Sequence, residues 1–137
     1  MNIFLDDIRF PKISHNEKRG LGAQFSNSEN WTIARDYFEF VDLVDNYFDK
    51  IKLVSFDHDL ACVKDGREWT GKDAVDYLIQ KCLDTNSKFP DFYVHSDNTS
   101  GKANIIGSAL NYLKHIENFD TSKFRYFHNG IINNEPV

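Results

Sequence analysis

The sequence predicts an α/β fold: a mostly parallel five-stranded sheet between helical layers, a three-layer sandwich. Short apolar runs at 2–5, 31–34, 52–56 and 91–95 alternate with segments whose apolar residues recur every three or four positions. That alternation is the pattern of parallel strands joined by crossover helices. Three of the runs end in polar clusters rich in Asp and His. Ligands of an open parallel sheet bind outside the carboxyl ends of its strands, so these clusters are expected to build one polar site.

Residues 2–5 form a continuous apolar run, as a central strand buried on both faces requires. Pro11 stops any extension. Residues 11–29 are polar and carry Gly20 and Gly22. They read either as a loop over the site or as a surface insertion. Trp31 to Ala34 is the second strand, and Asp36 is placed to cap the helix after it. That helix carries Tyr37, Phe40, Val41, Val44, Tyr47 and Phe48 on one face. The third strand is 52–56, followed by a loop from Ala61 to Gly71. A second helix over 72–83 shows Ala74, Val75, Leu78, Ile79, Cys82 and Leu83. The fourth strand is 91–95. A third helix over 102–116 presents Ile105, Ile106, Ala109, Leu110, Leu113 and Ile116. Residues 124–128 are the expected fifth strand; Asn129-Gly130 then turns the chain and the tail is expected to fray.

With 137 residues, one domain over 1–137 is expected, large enough for a full core. Twelve Phe make much of that core aromatic. The net charge of −5 argues against sequence-independent or sequence-specific grip on duplex DNA, which needs clustered Lys and Arg. A small anionic ligand held through a metal is compatible with it. Asp6 and Asp7 interrupt the opening apolar run, so no secretory leader is expected, and no stretch approaches membrane-spanning length. Cys62 and Cys82 lack metal-type spacing and fit a reducing cytoplasm.

Three clusters can carry chemistry. Asp6-Asp7 places two adjacent carboxylates where the chain leaves the core. Side chains alternate along a strand, so both face one ligand only if the chain flares there. Such close carboxylates repel, and a divalent cation would relieve this; turn-forming Asp at a strand end is the alternative. In Asp57-His58-Asp59, Asp57 continues the strand alternation to the sheet edge. His58 points the other way, or into the site after a turn. In His95-Ser96-Asp97-Asn98, a hydroxyl and an amide suit phosphoryl oxygens and His95 suits acid–base work; capping of the next helix by Ser96, Asp97 or Ser100 competes. Arg9 either holds a substrate phosphate or neutralises Asp6 and Asp7. His15, His115 and His128 are expected to be surface or packed residues. The chain has no Gly-rich nucleotide fingerprint, phosphate loop, serine-hydrolase elbow or His-Glu-x-x-His zinc motif.

The constellation resembles response-regulator receiver domains. These carry an acidic pair after the first strand, a phosphorylatable Asp after the third and Ser or Thr after the fourth. Asp6-Asp7, Asp57 and Ser96 match in order. Receivers also place a Lys after the fifth strand, where this chain has His128-Asn129-Gly130, a departure from phospho-relay switching. A closer resemblance is to the cyclic-phosphate processing receiver domain. Its pattern is matched by Leu5-Asp6-Asp7-Ile8-Arg9-Phe10-Pro11, Trp31, Ser55-Phe56-Asp57-His58-Asp59-Leu60, Thr70-Gly71 and Val94-His95-Ser96-Asp97-Asn98. The likeness spans about residues 2–110.

The resemblance implies a receiver-like, flavodoxin-like fold and a metal-dependent phosphoesterase acting on a cyclic phosphate of an RNA end or a nucleotide. Asp6, Asp7 and Asp57 would hold Mg²⁺ or Mn²⁺. His58 or His95 would protonate the leaving oxygen, with Asp59 orienting its histidine partner. Ser96, Asn98 and Arg9 would hold phosphate oxygens. Asp57 as a nucleophile is a variant route. The alternative function is a phosphoacceptor, or a module that binds a nucleotide phosphate without turnover. The family occurs in bacteria and their phages, which makes a phage origin one expectation of the resemblance.

Overall fold

The computed structural model describes residues 1–11, 31–125 and 128–137. The polar segment 11–29, apart from Pro11, and His15 lie outside the described residues. The first strand, β1 (Asn2–Leu5), is flanked by β2 (Trp31–Ala34) on one side and β3 (Leu53–Phe56) on the other. Strand β6 (Asp91–Val94) pairs in parallel with β3. All four strands are parallel, and the order in which the chain adds them switches sides at β1, which opens a crevice between the carboxyl ends of β1 and β3.

Alternation sorts the strand residues onto two faces. Ile3, Leu5, Val54, Phe56, Phe92 and Val94 face three helices and form the main core. These helices are α1 (Tyr37–Tyr47), α2 (Gly71–Thr85) and α3 (Thr99–His115), packed side by side in that order. Their inward stripes hold Phe40 and Val44, then Ala74, Val75, Leu78 and Cys82, then Ile105, Ile106, Ala109 and Leu113. Asp36 caps α1 as expected, accepting from the Glu39 N–H at 2.9 Å. Cys82 is packed, its thiol pushed up to about 12 by burial. Phe4, Phe40, Phe56 and Phe92 are among the largest fully buried side chains, each contributing about 1.5–3 kcal/mol. On the opposite face Phe4 packs against Trp31 and Ile33.

The fifth strand expected at 124–128 is not found among the described residues of that range. Phe124 and Arg125 lie outside any strand, and 126–127 lie outside the described residues. The place beside β6 is taken by β7 (Gly130–Ile132), antiparallel, and β8 (Glu135–Pro136) pairs beyond it. The sheet thus has six strands, not five. The direction follows from where the strand starts: α3 carries the chain away from the carboxyl edge of β6, yet Gly130 lies opposite Tyr93 near that edge, so β7 runs the other way. The tail does not fray, because Asn133 and Asn134 both adopt positive φ (52° and 68°), the geometry of a tight hairpin turn. Gly130 is required here: its φ is 155°, and a Cβ would lie 1.9 Å from the Phe92 carbonyl oxygen.

The segment 61–71, expected as a loop, contains a second hairpin, β4 (Cys62–Lys64) and β5 (Arg67–Trp69). Asp65 and Gly66 turn it with φ of 57° and 71°. Trp69 stacks on Tyr37 of α1 and carries the Arg67 guanidinium on its ring, which ties the hairpin to the sheet edge bearing the acidic clusters.

Candidate functional site

Three strands each add one residue beyond their last paired position. Asp57 N–H donates to Leu5 O (3.0 Å), His95 N–H to Phe56 O (2.9 Å) and Asp6 N–H to Ala34 O (3.1 Å). Leu5, Phe56 and Val94 are in register, so Asp6, Asp57 and His95 come next in one row, on the face of Phe4 and Ser55. One ligand atom from each lies within 4.8 Å of the other two, and all three residues are buried.

Asp6 is saturated by the protein. Its Oδ1 accepts from the backbone N–H of Ile8 (3.0 Å) and Arg9 (2.8 Å), and its Oδ2 from Arg9 Nε (2.7 Å). Oδ2 also pairs with His95 Nε2 at 3.0 Å. Burial alone would raise this carboxyl, but the bonds from His95, Arg9 and Ile8 outweigh it and hold Asp6 well below the usual carboxylate range. His95 is the complement. Burial pushes its imidazole below the ordinary value, against the pull of Asp6. A neutral ring satisfies both contacts, with Nε2–H donating to Asp6 and Nδ1, 2.7 Å from Ser55 Oγ, accepting the hydroxyl proton. The ring also stacks on Phe4, centroids 4.4 Å apart.

Asp57 is in the opposite condition. Its pKa is pushed up to about 6, first by burial and then by the neighbouring Asp6 charge. Arg9, the His58 N–H and Ser96 oppose the rise without cancelling it. Asp57 is therefore the undercompensated carboxylate of the row, the condition in which a nearby cation would be stabilising.

Above the row is a cleft of about 350 Å³ lined by Asp7, Ile8, Arg9, Asp57, Asp59 and Asp97. Asp7 is half-buried, and its carboxylate has no hydrogen-bond partner among the described residues. The adjacent pair thus splits: Asp6 is an internal brace and Asp7 faces the cleft. Hard divalent cations take carboxylate oxygens, so Asp7 and Asp57 fit such an ion. Asp6 would have to give up a bond to His95 or Arg9 to join them.

His58 packs on the helix side of the edge. Its Nδ1 is 2.8 Å from Asp59 Oδ1, and Asn98 Nδ2 donates to both Asp59 oxygens at 3.3 Å. The bond from His58, with that from Asn98, lowers the Asp59 carboxyl despite its partial burial. His58 Nε2 has no hydrogen-bond partner among the described residues. Asn98 caps α3, its Oδ1 accepting from the Gly101 N–H at 2.8 Å. Both ends of this amide are thus engaged within the protein, and the cap is neither Ser96, Asp97 nor Ser100. Ser96 Oγ accepts from the Asn98 N–H at 3.1 Å, and its hydroxyl lies close enough to Asp57 to lower that carboxyl.

Two glycines allow the helices to approach. A Cβ on Gly71 would sit 1.9 Å from the Asp57 carbonyl oxygen, and one on Gly101 2.3 Å from His58 Cγ. Gly101→Ala is expected to expel the His58 ring from its seat beside Asp59 and to destabilise the fold by about 1–3 kcal/mol. Thermal unfolding and the loss of the His58–Asp59 contact in NMR spectra would check this. Residues that the sequence reading did not single out also serve the site. Arg35 Nη1 donates to the carbonyls of Arg9 (2.7 Å) and Asp6 (3.1 Å), bracing the 6–9 turn. Its signal was an Arg directly after the Trp31–Ala34 run, at the same sheet edge. Ser55, inside an apolar strand, offered a similar clue as the partner of His95.

A sheet of this order, with an acidic pair after β1, an Asp after β3 and a Ser after β6, defines a receiver-type domain of the flavodoxin-like class. The chain belongs to the cyclic-phosphate processing receiver domain family, whose model matches residues 1–111. No curated protein and no solved structure matched the chain. Among the described residues, no helix is long and apolar enough to cross a membrane.

Proposed function

We propose that this receiver-like domain hydrolyses a cyclic phosphate ester, on an RNA end or a nucleotide, to a phosphomonoester. The observation that carries the reading is the cleft lined by Asp7, which has no partner among the described residues, by the undercompensated Asp57 and by the Arg9 guanidinium, with Asp59 of the His58 pair in its wall. Mg²⁺ or Mn²⁺ held by Asp7 and Asp57 would supply charge neutralisation at phosphorus and a more acidic water. Arg9 would hold a phosphate oxygen, and Ser96 would keep Asp57 oriented. In the reaction a water oxygen bonds to phosphorus and releases one proton to solvent, one ring P–O bond breaks, and the departing oxygen takes a proton. His58 delivers that proton from Nε2, because Asp59 holds Nδ1 and Asn98 holds Asp59. His95 supports the row rather than exchanging protons with substrate, since both its nitrogens are engaged inside the protein.

The test is incubation with 2′,3′-cyclic nucleotides, cyclic-phosphate-ended RNA and cyclic dinucleotides, each with Mg²⁺, Mn²⁺ or a chelator. Phosphomonoester formation is expected with metal and not with chelator, and His58→Ala should lower its rate by about 10²–10⁴. Unchanged substrates in every metal would overturn the reading. The nearness of the Ser96 hydroxyl to Asp57 also suits a phosphoacceptor; stable labelling of Asp57 by acetyl phosphate without cyclic-ester turnover would establish that second function instead.

A further inference from the structure

Arg9 stands among carboxylates in an uneven way. Its Nε donates to Asp6 at 2.7 Å, whereas Nη2 lies 3.5 Å from Asp57 and Nη1 3.7 Å from Asp97. Nη2 reaches the His95 carbonyl only at 3.4 Å, and Nη1 is buried with no hydrogen-bond partner among the described residues. The backbone beneath is fixed, because Arg35 grips the Arg9 carbonyl oxygen at 2.7 Å. One end of the guanidinium is thus anchored, and the other lies loosely before the same carboxylates that line the cleft. Among the described residues, Asp7, Asp57, Asp59 and Asp97 line that cleft with Arg9 as the one cation beside them. Like charges this crowded repel unless a cation stands among them.

We propose that Arg9 is the cleft's resident counter-cation, which a divalent metal ion displaces from Asp57 and Asp97 while the Nε–Asp6 bond persists. The inference rests on the metal reading given above. It assigns Arg9 two successive tasks: neutralising the cleft carboxylates before the metal binds, then meeting the phosphate with the Nη groups that the metal releases. The fork geometry suits this, since Nε and the two Nη groups bond in different directions.

Manganese affinity measured by titration calorimetry, without substrate, tests it. In Arg9→Gln the ion no longer competes with a fixed positive charge, so binding should tighten by about tenfold, the change given by roughly 1.4 kcal/mol. Arg9→Lys, which keeps the charge, should stay near the wild-type affinity. A second measurement needs no variant: on titrating the wild-type protein with Mg²⁺, hydrogen exchange at the Arg9 Nη groups should speed up while the Nε–H stays protected. Unchanged or weaker Mn²⁺ binding in Arg9→Gln, or Nη protons as protected with Mg²⁺ as without, would overturn the proposal. If the wild-type protein binds no Mn²⁺, the metal reading itself fails and the displacement falls with it.

Discussion

Replacing Asp57 by Asn is expected to lower cyclic-ester hydrolysis by at least about 10²–10³-fold and at the same time to stabilise the metal-free protein. The first effect follows from the position of Asp57 in the cleft beside Asp7 and Arg9. The second follows from its raised pKa, about 6 against an ordinary 3.8. Below pH 3.8 the carboxyl is protonated in both folded and unfolded chains and carries no penalty. Between the two values the unfolded chain ionises while the folded protein keeps the proton, so stability falls as pH rises. Above about 6 the folded protein holds the buried charge and the loss is complete, on the order of 3 kcal/mol. Asn has the same shape without the charge, so the gain appears at neutral pH and vanishes near pH 4. In Tm it should reach about 5–10 °C, read by calorimetry in chelator. Asp6 works in a separate window: its depressed pKa contributes stability that is lost only as pH falls below the ordinary carboxylate value. A Tm of Asp57→Asn equal to or below wild type at pH 7.5 would contradict this account of the charge row.

His95→Ala is expected to be the most destabilising single change at the site, costing about 3–5 kcal/mol. The side chain is fully buried, stacks on Phe4 and bonds both Asp6 and Ser55. Its loss leaves a cavity and weakens the compensation of a buried carboxylate. His95→Gln keeps a donor toward Asp6 and separates support from acid catalysis. If His95 only supports the row, the folded Gln variant should keep hydrolysis within about tenfold of wild type, against the larger loss in His58→Ala. A well-folded His95→Gln that loses as much as His58→Ala would return the acid role to His95.

Much of this arrangement was legible in the sequence because it depends on local rules. Apolar runs at 2–5 and 91–95 could be read as buried strands, and strand parity already placed Asp57 at the edge. Parity also warned that Asp6 and Asp7 would not share a ligand without a flare; the structure turns Asp6 inward and Asp7 outward. What stayed hidden depends on partners distant in the chain. The Arg9–Asp6 pair was one of two local readings, but nothing local says that His95 joins it, or that Asn98 spends one end on a helix cap and the other on Asp59. The fifth strand was expected at 124–128 because Phe124 to His128 has a strand-like composition, whereas the strand beside β6 is Gly130–Ile132. The β4–β5 hairpin had a visible signal in Asp65-Gly66, but its strands are too short and polar to show alternation.

The most direct test of the central claim is anomalous diffraction from crystals of the protein grown with Mn²⁺ and inorganic phosphate. The account predicts one manganese peak in the cleft, about 2.1–2.3 Å from carboxylate oxygens of both Asp7 and Asp57, with phosphate in contact with Arg9. A manganese bound elsewhere on the surface, or a cleft without manganese at saturating concentration, would contradict it.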